Sequence, residues 1–148
     1  MALSMKGTFY HNIDSKGRLI IPSKIRDALG SSFVVTIGVD GCLDMYSIEE
    51  WENFTEKLNR QSNNTEKVRM LKRYFRSRAA DVDMDSQGRV VIPQNLRDSA
   101  GITKEVVIIG DGEKAEIWDK TKWDELNSTE MFSEEAIKKM LEEGTLDF

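Results

Sequence analysis

Short apolar runs cut by turn-forming clusters dominate the chain. Ile13 precedes Asp14-Ser15-Lys16-Gly17, after which Arg18 opens the run Leu19-Ile20-Ile21 that Pro22 closes. The same grammar returns as Met84, Asp85-Ser86-Gln87-Gly88, Arg89, Val90-Val91-Ile92 and Pro93. An Asp side chain accepts backbone N–H groups of its own loop and Gly tolerates positive φ, so both stretches predict strand–turn–strand. Each Pro removes a ladder donor and ends the second strand. A short helix should follow each: one capped by Ser23, with Ile25 and Leu29 inward and Gly30 as its stop, the other from Gln94 to Ala100 with Gly101 as its stop. Two hairpins come next. Phe33–Ile37 turns at Asp40-Gly41 into Leu43–Tyr46, and Val106–Ile109 turns at Asp111-Gly112 into Ala115–Trp118.

The two series are copies of one another. Asp14 recurs as Asp85, Arg18 as Arg89 and Arg26 as Arg97, a constant spacing of 71 (85 − 14). Asp40-Gly41 and Asp111-Gly112 keep it; one insertion later, Asp44 matches Glu116 and Trp51 matches Trp123 at 72 (123 − 51). One unit has been duplicated and fused. Four short strands per copy cannot easily bury both faces alone, whereas two copies can close into one small barrel without exposed edges. The expected fold is mostly β with helical additions, one domain made from two fused repeats.

Helical periodicity accounts for the rest. Ser47 and Glu50 form a capping box for a helix carrying Trp51, Phe54 and Leu58, ending near Arg60. Gln61–Asn64 is a polar linker. Thr65 caps a second helix with Val68, Leu71 and Phe75 on its apolar face and Lys67, Arg69, Lys72, Arg73, Arg76 and Arg78 around it. A short helix surrounds Trp123, and a last one runs from Ser133 to Glu143 with Ala136, Ile137, Met140 and Leu141 in a stripe. The organisation is a first repeat over 5–60, a basic connecting helix over 61–78, a second repeat over 79–127 and an acidic tail over 128–148. Met1 to Ser4 read as an extension, since Met5 could itself be a start.

Composition narrows the class. With 39% hydrophobic and 32% charged residues the chain is globular. It has no apolar run of membrane-spanning length and no signal-peptide layout at its start. A single cysteine, Cys42, excludes an intramolecular disulfide and a cysteine zinc knuckle and points to a reducing cytoplasm. His11 stands alone, so no metal or cofactor is expected. The net charge of −5 argues mildly against nucleic acid. Basic residues nevertheless collect at 67–78 and around the first turn at Lys16, Arg18, Lys24 and Arg26, and phosphate recognition is local at physiological screening lengths.

The doubled motifs Asp14-Ser15-Lys16-Gly17-Arg18 and Asp85-Ser86-Gln87-Gly88-Arg89, with the Asp-Gly hairpins and Glu116-Ile117-Trp118-Asp119, closely resemble the MraZ family of bacterial transcriptional regulators. The resemblance runs from Met5 to about Trp123. It implies a pseudo-two-fold double swapped-hairpin β-barrel of the AbrB type. It also implies closed homo-oligomeric rings on G-rich direct repeats in double-stranded DNA upstream of the division and cell-wall gene cluster, in the cytoplasm and associated with the nucleoid. The first copy should carry more of the phosphate contact, because Lys16 and Lys24 become Gln87 and Asn95 in the second.

Arg18 and Arg89 are the main candidates for DNA contact, since an arginine offers a bidentate fork to guanine or clamps a phosphate. The bland alternative is that each pairs with Asp14 or Asp85 and holds its turn shut, the carboxylates orienting the guanidinium groups. Lys16 and Lys24 read as phosphate contacts or as ordinary solvated lysines, while Gly17 and Gly88 serve the turns. For Arg26 and Arg97, phosphate contact competes with pairing to Asp27 and Asp98. The 67–78 stripe is solvated, lies against the acidic tail of a neighbouring subunit, or tracks DNA. Tyr46, Trp51, Phe54, Trp118 and Trp123 fall at core spacings. A protein-binding, antitoxin-like module using the acidic tail is the second functional reading. An enzyme is the weakest, because no nucleophile–base pair or phosphate loop is present, and neither a small-molecule substrate nor a membrane is expected as a partner.

Overall fold

A computed structural model describes residues 4–147; of the expected extension, Met1, Ala2 and Leu3 lie outside the described residues, as does Phe148. The first half contains β1 (Met5–Asn12), β2 (Arg18–Ile20), α1 (Ser23–Leu29), β3 (Ser32–Ile37), β4 (Leu43–Ser47), α2 (Ile48–Arg60) and α3 (Glu66–Ser77). The second contains β5 (Ala80–Asp83), β6 (Arg89–Val91), α4 (Gln94–Ser99), β7 (Glu105–Gly112), β8 (Lys114–Asp119), α5 (Lys120–Asn127), a 3₁₀ turn (Glu130–Phe132) and α6 (Glu134–Glu142). About 40% of the chain is helical and 30% is strand, so the helices outweigh the mostly-β expectation.

The strands interleave the halves. One antiparallel sheet has six strands in the order β1-β7-β8-β4-β3-β5, and β2 pairs with β6 as a separate ribbon. Exchanging β1–β4 with β5–β8 maps each pairing onto another or, for β2·β6 and β4·β8, onto itself, so the topology carries a pseudo-two-fold axis. It passes between Asp44 and Glu116, which face each other across β4 and β8, and between Leu19 and Val90 in the ribbon. Among the described residues the strands do not close into the barrel expected from the sequence. β2 and β6 are three residues long and spend their hydrogen bonds on each other, leaving β1 and β5 as the edges of the larger sheet.

The core lies between one face of the sheet (Phe33, Val35, Leu43, Met45, Ile108 and Ile117) and the inner side of the ribbon with α1 and α4 (Leu19, Val90, Ile25, Leu29 and Leu96). Across the sheet, Tyr46, Trp51, Phe54 and Phe75 cluster in the first half, and Trp118, Trp123 and Phe132 in the second. The aromatics are packing residues, as their spacing suggested.

Several local expectations are corrected. Ser23 is the first helical residue of α1 rather than its cap; Pro22 precedes it and no side chain caps the helix. Gly30, at φ 84°, does close it. The two hairpins are not in the register their Asp-Gly match implies. Asp40-Gly41 lies in the loop beyond Gly38, whereas Asp111 is still paired with Lys114 and the turn is Gly112-Glu113. In α2, Ser47 Oγ accepts the Glu50 N–H at 3.1 Å, while the Glu50 carboxylate accepts from Asn53 instead of reaching back. Thr65 caps α3 as expected. Leu71 faces outward at 55% exposed, and Lys72 takes the buried position, its ammonium donating to Gln61 O and Asn63 Oδ1 of the linker. A lysine stem can lie along an apolar surface when its head finds acceptors at the end. The stripe of α6 leaves Ile137 and Leu141 exposed. No helix among the described residues is long and apolar enough to cross a membrane.

Candidate nucleic-acid interface

Each Asp-Ser-x-Gly-Arg turn is built by its own aspartate. Asp14 Oδ1 accepts the N–H groups of Lys16 (3.0 Å) and Arg18 (2.9 Å), and Oδ2 accepts Arg18 Nε at 2.6 Å. Asp85 does the same with Gln87 N, Arg89 N and Arg89 Nε, each at 2.9 Å. These donors, the arginine backbone N–H first, hold both carboxyls below the usual carboxylate range. The geometric alternative for Arg18 and Arg89 is therefore realised, but through Nε alone. Neither Nη group of either arginine makes a hydrogen bond among the described residues, so each guanidinium keeps donors that the turn does not use.

Arg18 and Arg89 start β2 and β6, whose register is Arg18↔Val91, Leu19↔Val90 and Ile20↔Arg89. Strand alternation sends Leu19 and Val90 into the core and places Arg18, Ile20, Arg89 and Val91 together on the outer face. In the sequence Ile20 and Val91 belong to continuous apolar runs, Leu19-Ile20-Ile21 and Val90-Val91-Ile92, so their exposure is visible only once the two strands pair.

The turns are also tied to each other. Gly17 O accepts the Ile92 N–H (2.8 Å) and Gly88 O accepts the Ile21 N–H (2.9 Å), so each turn is bonded to the opposite half. Half-buried Arg97 donates Nε to Ile92 O at 3.0 Å and lies against Gly17; Arg26 donates to Ile21 O at 2.7 Å and lies against Gly88. Both glycines have positive φ, 81° and 79°. Of the two alternatives weighed for Arg26 and Arg97, the ion pair with Asp27 or Asp98 is not formed among the described residues. Each braces the turn that presents the other half's arginine. Lys16 and Lys24 are exposed beside this face, where Gln87 and Asn95 are their neutral counterparts.

The basic helix is occupied with its own surroundings. Arg76 donates to Thr55 O and Asn59, Arg69 to Asn63 O, and Arg78 covers the Tyr74 ring. At the far end of the pseudo-axis, Lys114 bridges Asp44 (3.3 Å) and Glu116 (3.4 Å), and burial pushes the Asp44 carboxyl up to about 6 despite that lysine. Possible ligand atoms of Cys42, Asp44 and Glu116 lie within 4.8 Å of one another, a convergence the spacing along the chain concealed. Lys114 already pairs with both carboxylates, and burial pushes the Cys42 thiol up to about 12. A pocket of about 710 Å³ lies between β8 and α5 over Trp118 and Trp123, with Asp40, Asp111, Glu116 and Glu125 around it, an acidic setting unlike the arginine-bearing ribbon.

A family model described as "MraZ protein, putative antitoxin-like" matches residues 5–74 and again 75–143. Among similar proteins is a "Transcriptional regulator MraZ" of Acetivibrio thermocellus, 47% identical over 131 residues, 88% of this chain and 92% of that protein. Proteins of the same name from Lachnoclostridium phytofermentans (51% over 130 residues, 88% and 91% covered) and Clostridium tetani (44% over 138, 93% and 97%) are similar over nearly the whole chain.

Proposed function

The chain belongs to the MraZ family, and from that premise we propose that it is a sequence-specific DNA-binding transcriptional regulator, a repressor working in the cytoplasm at the nucleoid. The observation that carries the reading is the ribbon face. Two arginines are held at Nε by aspartates, with both Nη groups free, on a short two-stranded element of a kind that enters the major groove.

Arg18 and Arg89 read guanine, and Lys16 and Lys24 contact phosphate. Arg26 and Arg97 act mainly by bracing the turns. Several such faces in a ring-shaped homo-oligomer would combine weak single contacts on G-rich direct repeats through effective concentration. The resemblance of the motifs supplies the proposed target, the division and cell-wall gene cluster, and the swapped-hairpin barrel as the parent architecture.

The test is fluorescence anisotropy with a G-rich direct-repeat duplex and a scrambled one across a salt series. Arg18→Ala and Arg89→Ala should each weaken specific binding roughly tenfold to a hundredfold, as expected for a bidentate base contact, with melting temperatures close to wild type. Full sequence preference in both variants would sink the reading.

The exposed stripe of α6 favours one second reading, a protein-binding role for the acidic tail. Under it, Ile137→Glu with Leu141→Glu abolishes partner capture and leaves DNA affinity unchanged.

A further inference from the structure

Burial in the core does not account for the apolar character of Ile20 and Val91. They are 44% and 55% exposed, while the inward positions of the same strands are filled by Leu19 and Val90, both about 1% exposed. The two sit at equivalent places around the pseudo-axis, each directly opposite an arginine: Ile20 faces Arg89 and Val91 faces Arg18. One face of the ribbon thus carries two guanidinium groups on one diagonal and two branched aliphatic groups on the other. Directly opposed side chains in such a pair are about 5 Å apart.

We propose that Ile20 and Val91 are specificity-determining residues that contact thymine C5-methyl groups in the major groove, beside the guanines read by Arg18 and Arg89. This rests on the DNA-binding reading above and adds to it a second base. The thymine methyl is the apolar group that base pairs present in the major groove, whose width of about 12 Å admits a two-stranded ribbon. A protein partner is a poorer occupant. Two aliphatic side chains between two cations fall far short of the roughly 800 Å² that a stable protein interface buries on each side. The cationic diagonal complements the phosphate walls of the groove, and the aspartates nearby are already engaged by the arginines and by backbone N–H groups. Because the arginine and the aliphatic residue alternate across the ribbon, each guanine contact should have a thymine contact close to it.

The test uses the full chain and a duplex enriched by it from a random-sequence pool. Each thymine is replaced singly by deoxyuridine, which removes the methyl and leaves base pairing intact. Affinity should fall roughly fourfold at one position per half, the worth of one buried methyl, with an unchanged salt slope. Ile20→Ala should erase the sensitivity at one of those positions and Val91→Ala at the other. If the wild-type chain prefers the enriched duplex to a scrambled one but tolerates every deoxyuridine, the methyl contact is wrong and the DNA-binding reading stands. Equal sensitivity in wild type and both alanine variants also overturns it. No preference for any duplex would remove both proposals together. The deoxyuridine series on wild type needs no folded variant.

Discussion

The two halves of the chain obey one topology yet differ in how they finish. In the first, α3 folds back on α2: Phe75 meets Phe54 edge to face, and Thr36 Oγ1 donates to Phe75 O. In the second, Phe132 of the 3₁₀ turn reaches Trp123, and α6 keeps its apolar stripe exposed. On the ribbon face the halves match in hydrogen bonding but not in charge, Lys16 standing where the second copy has Gln87. On the axis itself, Lys114 takes the place that Cys42 holds in the other half, so one ammonium serves both Asp44 and Glu116. The duplication is kept in the strand pairing and in the two aspartate-built turns of the ribbon, and relaxed in the hairpin turns, on the axis and in the closing helices.

The largest test of this comparison lies in the turn glycines. A Cβ at Gly17 would stand 2.7 Å from the Ile92 carbonyl oxygen, whereas at Gly88 it would meet the guanidinium of Arg26. Backbone cannot yield as a side chain can, so Gly17→Ala should cost about 3 kcal/mol and Gly88→Ala about half that, both including positive-φ strain. Urea unfolding decides the order, and equal losses would mean that the halves are interchangeable here.

The charges on the axis come next. Asp44 is buried with its carboxyl raised to about 6, so the folded state holds its proton more tightly than the unfolded chain. That contribution is complete below the ordinary carboxylate range near 4 and is lost as pH rises through about 6, on the order of 2 kcal/mol. Denaturant midpoints between pH 4 and 7 should decline for wild type and flatten in Asp44→Asn. An unchanged slope in the variant would assign the decline elsewhere. Asp14 and Asp85 act in the opposite sense: their lowered carboxyls stabilise the fold above the ordinary range, and this is lost only as pH falls further.

A smaller effect probes the bracing between halves. If Arg97 positions the turn that presents Arg18, then Arg97→Ala and Arg18→Ala should combine to less than the sum of their separate losses in DNA affinity, with a coupling of about 1 kcal/mol. Arg97→Ala with Arg89→Ala should be closer to additive. The smallest expected effect concerns the unmatched lysine. Lys16→Gln should lower the salt dependence of binding by about one phosphate equivalent, and Gln87→Lys should raise it by as much. Opposite changes of unequal size would show that the halves see different DNA surroundings.

Much of this was legible because it is local. An Asp-Ser-x-Gly-Arg turn closes through atoms within four residues of Asp14, so the doubled motif announced its own hydrogen bonds. Caps at Ser47 and Thr65 were equally readable. The hairpin register was not, since Asp111-Gly112 looks like a turn along the chain and only pairing with Lys114 shows that it is not. Nor was the inward swing of Lys72, which depends on acceptors in a linker that the helix meets after folding.

By itself, the order of residues determined that there are two copies, that each has a strand–turn–strand with an aspartate-built turn, and that the arginines follow those turns. Periodicity and short-range hydrogen bonding suffice for that. Only the tertiary structure decided which strands pair, and therefore that Arg26 braces Gly88, that Arg97 braces Gly17, and that Ile20 and Val91 share an exposed face with Arg18 and Arg89. Those relations cross from one copy to the other over some 70 residues, a distance at which no local pattern specifies a partner. Burial of Leu19 against Val90 makes the choice instead, and turns the other side of the ribbon outward.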